Sequence, residues 1–349
     1  MHDGFATGPA LPPRGARRQS AAPSLSPRPR RVLLLGGTGT IGRAAAAALA
    51  RRGHEVVCLA RMRGGREANA PPEGVRVRMG DAADPGSLAR DGIRGERFDA
   101  LVSCMASRTG VPADAWAIDH RAHVGALAAA REAGASQMVL LSAICVQKPR
   151  LAFQHAKLAF ERALIESGVT YSIVRPTAFF KSLSGQVGRV LAGKPFLVFG
   201  DGRLTACKPI GDEDLALYLA ECLDDEARWN RILPIGGPGP AITPREQGEH
   251  LFRLAGREPR FRSVPVAMLS AIAGTLGTLG RAAPSLAAKA ELARIGRYYA
   301  TESMLVLDPA TGRYDSNATP SFGSQTLLEH YARLVSGETE AERGAHSVF

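Results

Sequence analysis

One stretch constrains this chain more than any other. Residues 31–50, RVLLLGGTGTIGRAAAAALA, pass from a short apolar run through four glycines in seven positions into a run dominated by alanine. A short apolar run that stops at glycines reads as a buried strand. Ala44 to Arg51 reads as a helix because alanine is the best helix former, and Gly53 ends it. Between them Gly37, Gly39 and Gly42 form G-x-G-x-x-G. That spacing permits a tight turn and lets backbone N–H groups approach a pyrophosphate, and the helix N-terminus adds a favourable dipole. Gly36, Gly37, Thr38, Gly39, Thr40, Ile41 and Gly42 are therefore the candidate dinucleotide cradle.

The same alternation continues. EVVCLA (55–60), VRVRMGD (75–81), FDALVSC (98–104), QMVLLSA (137–143) and TYSIVRP (170–176) read as strands. Helical stretches, including Trp116–Ala133 and Phe153–Ser167, lie between them. Strands alternating with helices predict βαβ units, hence an α/β fold: a Rossmann-like, doubly wound parallel sheet covered on both faces. After about residue 236 the alternation fades into helical segments such as Pro244–Leu254 and Thr326–Val335. The expected division is a flexible basic arm (1–30), a dinucleotide-binding Rossmann domain (31–240) and a smaller, mostly helical C-terminal substrate region (241–349). Val264–Leu279 is apolar but shorter than the roughly 20 residues of a membrane span. It reads as a core helix, with a membrane-surface or apolar-substrate face as the alternative.

Five cysteines lie far apart with no C-x-x-C pair. This excludes a disulfide scaffold, argues against iron–sulfur or structural zinc sites, and fits a reducing cytosol. No metal site is expected. The formal net charge is +11. Six arginines against Asp3 put +5 of it in residues 1–31, and no basic helix or aromatic motif of a nucleic-acid binder follows, so nucleic acid is not an expected partner. The arm resembles a transit peptide in composition but is short, and a flexible bacterial extension is expected instead; six lysines among 44 basic residues also suggest a GC-rich bacterial genome.

The second strand ends C-L-A-R. An acid there would hold the ribose 2′-hydroxyl of NAD; Arg61 stands there instead, with Arg63 and Arg66 following. A guanidinium pairs with a 2′-phosphate, so NADPH is the expected cofactor. Asp81, ending the third strand, reads either as an adenine contact or as a cap of the next helix.

The glycine pattern, Arg61 and the later strands resemble the atypical short-chain dehydrogenase/reductase family. The resemblance implies a catalytic serine, met by Ser142, and a Tyr-x-x-x-Lys, which here reads Phe153-Gln154-His155-Ala156-Lys157. Phenylalanine does no acid–base work, so alcohol–ketone interconversion and sugar-nucleotide epimerisation are disfavoured. Lys157 is left to bond the nicotinamide ribose and hold positive charge near the ring. Arg175, Pro176 and Thr177 fall at the family's nicotinamide-facing turn. Phe153, Phe179, Phe180 and Lys181 suit a large, flat, anionic substrate, although any single aromatic reads as core packing.

VRPTAFFKSL, ACKPI, LPIGGPG and IGRYYATESMLV resemble one branch of that family, the NADPH-dependent 8-vinyl reductases of divinyl chlorophyllide, over about Arg31 to Leu334. The phenylalanine in the tyrosine position also resembles that branch. The resemblance implies a divinyl chlorophyllide a substrate, a place in chlorophyll or bacteriochlorophyll synthesis, and a cytoplasmic enzyme with peripheral contact at a photosynthetic membrane. A non-catalytic NADPH-binding sensor or assembly subunit of the same fold is the competing reading. Lys157, Lys181, His155, Tyr171 and water are the candidate proton donors. His120, His123 and His155 are candidate ligands of the substrate's magnesium, each reading first as a core or surface histidine.

Overall fold

The computed structural model describes residues 28–61, 71–279 and 284–339. Most of the arm, and Arg63 and Arg66, lie outside them. Seven of the first eight strands form one parallel sheet: β1 (Arg31–Leu35), β2 (Glu55–Ala60), β3 (Val75–Met79), β4 (Ala100–Ser103), β5 (Gln137–Leu141), β6 (Thr170–Pro176) and, after β7 (Phe196–Phe199) has left for another lobe, β8 (Arg231–Ile235). Their order is β3-β2-β1-β4-β5-β6-β8. The register sets Leu33 against Val57 on one side and Leu101 on the other.

Among the described residues the longer helices covering this sheet are α1 (Thr40–Arg51), α2 (His123–Glu132), α3 (Ala152–Glu166) and α4 (Asp212–Glu221). Successive strand residues face opposite ways, and here both faces are apolar. Val32, Leu34, Val56 and Val102 pack with Ala45 and Leu49 of α1 and Leu215 and Leu219 of α4. Leu33, Leu35, Val57 and Leu101 pack with Leu127 of α2 and Phe160 and Leu164 of α3. Burial on both sides is why VLLL (32–35) is a continuous apolar run, and each fully buried leucine contributes roughly 1.5–3 kcal/mol. The helical run before α2 starts at Pro112 and passes through a π-helical turn, Trp116–Ala122.

The strand order reverses between β1 and β4, where ligands of such sheets bind, outside the carboxyl ends of the strands. The glycine turn leaves the end of β1, and the 104–110 loop leaves the end of β4.

The second lobe is built from two separate stretches. β7 pairs in parallel with β9 (Phe261–Val264). Phe180, Val187, Val190, Phe196 and Val198 share a core with Leu251 and Phe252 of α5 (Pro244–Leu254) and with Leu327, Tyr331 and Leu334 of a C-terminal helix. The N-termini of these two helices carry complete capping boxes, Thr243 with Glu246 and Thr326 with Glu329. Between them α6 (Val266–Leu279) packs against α7 (Pro284–Thr301), and the C-terminal helix is α8 (Leu327–Ser336). The apolar 264–279 stretch is not the core helix expected of it: Ala273 is its one buried residue, and its main packing partner among the described residues is α7. No helix among the described residues is long and apolar enough to cross a membrane.

Candidate active site

The glycine turn is a cradle that side chains would destroy in three of its four glycines. Gly36 has φ +77°, and a Cβ there would lie 2.5 Å from the backbone carbon of Cys104. A Cβ on Gly37 would meet the Cys58 sulfur at 2.3 Å, and one on Gly42 the Gly36 carbonyl oxygen at 2.1 Å. Gly39 differs: its nearest neighbour would be the Gly36 oxygen at 3.5 Å, an ordinary contact. Gly39 therefore faces open space while serving as N-cap of α1, with no side-chain cap on the first turn. Amide donors at a helix start, with room beside them, fit a pyrophosphate. The Cys58 thiol beside the turn is pushed up to about 11 by burial and that of Cys104 to about 12, so both walls stay uncharged.

Arg61 follows β2 directly and is exposed, one strand over from the glycine turn. Asp81 follows β3 and serves its own turn: its Oδ1 accepts the Ala83 N–H at 2.9 Å, and its N–H donates to Ser87 Oγ. It is not the cap of the next helix: that cap is Asp84, whose Oδ1 accepts the Gly86 N–H at 2.9 Å. Beside it lies a cavity of about 310 Å³ lined by Ala82, Ala83, Pro85, Ala117, Ala122 and Gly125, with Arg121.

Lys157 points from α3 to the helix that follows β4. Its Nζ lies 3.0 Å from Oδ1 of Asp119, whose carboxylate is fully buried. The N–H and hydroxyl of Ser107, in the 104–110 loop, donate to the same carboxylate at 3.2 and 2.6 Å. Ser142 behaves otherwise than expected. Its hydroxyl donates at 2.5 Å to Glu161, a buried carboxylate that also takes both Nε and Nη2 of Arg175. Ser142 and Arg175 thus bind α3 to the ends of β5 and β6. Pro176 is buried at the end of β6, and Thr177 spends its N–H on Ile235 and its hydroxyl on the Lys208 carbonyl.

Phe153 stands one helical turn before Lys157, half-buried among Ala143, Cys145, Ile295, Tyr298 and Met304. Phe179 is half-buried against the sheet. Phe180 is only 3% exposed, its ring packed on His330 inside the second lobe, so it is a core residue and not a substrate wall. Lys181 reaches back to the cradle, its Nζ donating to Thr40 Oγ1 at 2.7 Å. It therefore stands at the glycine turn.

The remaining candidates separate cleanly. Tyr171 lies near the start of β6, at the end of the sheet opposite the crevice. His155 is exposed, two residues from Lys157 and so on another side of α3. His123 is buried, bonded to Ser103 Oγ and the Ile118 carbonyl, and desolvation with the nearby Lys157 charge lowers it to about 4. It is a neutral core histidine. Asp119, Ser107 and Glu161 are the residues sequence reasoning missed. Lys157 and Glu161, four apart on one helix, look like an ordinary surface pair, yet each bonds a distant partner.

Comparison with known proteins places this geometry. A family model described as NAD(P)H-binding matches residues 36–226. An NADPH-dependent quinone oxidoreductase of Escherichia coli, solved with NADPH, shares the fold at a TM-score of 0.60 and 18% identity, covering 87% of this chain and 99% of that one. Among curated proteins, the chloroplastic divinyl chlorophyllide a 8-vinyl-reductase of Oryza sativa subsp. indica is 50% identical over 97% of this chain and 87% of its own length. The Arabidopsis thaliana protein of the same name is 46% identical, over 89% and 78%. Identity of this order runs along nearly the whole described length with proteins of one name, and the chain belongs to the divinyl chlorophyllide a 8-vinyl-reductase family.

Proposed function

We propose that this chain reduces the C8 vinyl group of 3,8-divinyl chlorophyllide a, or of its protochlorophyllide precursor, to ethyl, with NADPH as reductant. The observation that carries the reading is Phe153 one turn before a half-buried, carboxylate-paired Lys157, in a chain whose glycine turn is open at Gly39. Reducing a ketone requires a proton donor for the oxyanion. Reducing a vinyl group conjugated to a macrocycle does not, because the ring system spreads the negative charge.

Bound at the glycine turn, NADPH supplies the hydride. The amide end of α1 after Gly39 and the Lys181 ammonium meet the pyrophosphate charge, and Arg61 pairs with the 2′-phosphate. Lys157, fixed by Asp119, bonds the nicotinamide ribose and keeps positive charge near the reacting carbons. The half-buried rings of Phe153 and Phe179 supply flat apolar contact. Most of the acceleration then comes from holding nicotinamide and vinyl face to face. The one proton that completes the reduction is taken from Lys157 or water.

The test is to incubate purified protein with 3,8-divinyl chlorophyllide a and NADPH and follow the pigment by chromatography and mass. A product heavier by two hydrogens, absent without NADPH, supports the enzyme. Tight NADPH binding with no conversion of either pigment would favour the non-catalytic sensor.

Peripheral membrane contact is supported by α6, a 14-residue helix without a charge, on which Met268 is 47% and Leu279 53% exposed. Co-flotation with anionic lipid vesicles, abolished by Met268→Glu with Ile272→Glu, is the expected result.

A further inference from the structure

Lys157 is gripped by a carboxylate that the Tyr-x-x-x-Lys pattern does not contain. Asp119 sits in the π-helical turn Trp116–Ala122, and turns of this kind recur at functional sites. Both of its oxygens are engaged: Oδ1 by Lys157 Nζ at 3.0 Å and the Ser107 N–H at 3.2 Å, Oδ2 by the Ser107 hydroxyl at 2.6 Å. A carboxylate held at both oxygens cannot rotate, so it fixes the direction of one ammonium N–H and thereby of the other two. Among the described residues it is the one carboxylate paired with Lys157. His123, one turn further on, is occupied by Ser103 and Ile118 and stays neutral, so it does not compete for the carboxylate.

Ser107 extends the arrangement. It belongs to the loop that begins at Cys104, whose backbone stands against Gly36 so closely that no Cβ fits between them. The carboxylate therefore links the lysine on α3 to the loop that walls the phosphate cradle. A buried ion pair is a weak source of net stability, because desolvation offsets much of the attraction. What such a pair supplies here is geometry.

We infer that Asp119 is the positioning residue of this site: it orients the Lys157 ammonium toward the nicotinamide ribose and, through Ser107, ties that orientation to the cofactor-binding loop. The inference rests on the role given to Lys157 above. Without the tyrosine, the lysine is the one side chain of the motif left to orient the cofactor's reacting end, so its direction carries more of the rate.

The test is a double-mutant cycle with Asp119→Asn and Lys157→Met, read in turnover, pigment KM and NADPH dissociation constant. Asparagine keeps an acceptor for Ser107 and removes the charge. The expected result is a fall in kcat on the order of 10-fold or more for Asp119→Asn, with pigment KM little changed and no further fall when it is added to Lys157→Met. Equal losses in both backgrounds, or unaltered turnover in Asp119→Asn, would overturn the inference. Ser107→Ala serves if Asp119→Asn does not fold. It removes one bond to the carboxylate, and its smaller loss should likewise vanish beside Lys157→Met. Wild-type protein that converts no pigment would refute the functional reading instead. The same cycle in NADPH affinity then decides for Asp119: weakening by Asp119→Asn that disappears in Lys157→Met sustains it, and additive or absent weakening refutes it.

Discussion

Gly39→Asp should move stability and cofactor affinity in opposite directions. Gly39 has φ −79° and ψ 164°, a conformation any residue adopts, and a Cβ there meets nothing nearer than 3.5 Å. As N-cap of α1 an aspartate accepts an amide hydrogen from the first turn, a gain of a few tenths of a kcal/mol over glycine. Its charge at the positive end of the helix adds about 0.3–1 kcal/mol. The cofactor-free protein should therefore melt at the same temperature or a degree or two higher, at about 2–4 °C per kcal/mol or less for a chain of this size. The pyrophosphate meets the reverse. Two unit charges about 4 Å apart interact by about 4 kcal/mol at an effective dielectric constant of 20. Even if solvent screens a third of that, NADPH should bind on the order of 100-fold more weakly. Thermal melts without cofactor and a fluorescence titration with NADPH measure the two effects separately. Undiminished affinity would remove the pyrophosphate from this turn. A melting temperature lowered by several degrees would show that the space at Gly39 is not open.

Gly42→Ala should behave differently: its Cβ meets backbone at 2.1 Å, so both melting temperature and NADPH affinity should fall. Arg61→Ala should raise KM for NADPH about 10- to 100-fold, as loss of a charged hydrogen bond does, and leave KM for NADH unchanged in steady-state kinetics. His123 is neutral when folded, lowered to about 4 from an ordinary 6.5. The unfolded chain therefore binds the extra proton first, and stability, complete above about pH 6.5, should drain away as pH falls toward 4. His123→Gln should flatten that part of the melting curve against pH. Tyr298→Phe removes hydroxyl bonds to the Cys145 and Lys148 carbonyls and should cost about 1–3 kcal/mol in denaturant melts.

What the chain discloses by local pattern is the sheet and the cradle. β1 is apolar from Val32 to Leu35 because both its faces are covered, and the glycine spacing is a property of seven adjacent residues. β8 escaped notice because RILPI carries a proline and is exposed at its start. α6 was misjudged because composition says that a helix is apolar without saying whether anything lies against it. The pair Phe179 and Phe180 looked like one aromatic wall, yet the backbone turns between them and sends one ring to the sheet and the other into the second lobe. Asp119 was invisible for a different reason: it and Lys157 lie far apart in the chain and meet only because the helices after β4 and β5 pack on the same face. The sequence motif identifies a lysine; the tertiary fold identifies its partner.

The interleaving of the second lobe has a kinetic consequence. Phe196 pairs with Phe261, and the core that holds Phe180 and Val190 closes only with Leu327, Tyr331 and Leu334. On a ribosome adding about 5–20 residues per second, the 180–199 segment waits several seconds for β9 and roughly 7–25 seconds for α8. Until β9 emerges an unpaired strand stands open to other chains, and until α8 emerges the apolar core around Phe180 and Phe196 does. Synthesis, more than the finished fold, is therefore where this protein is most exposed to aggregation, and a truncation before Leu327 would make that interval permanent.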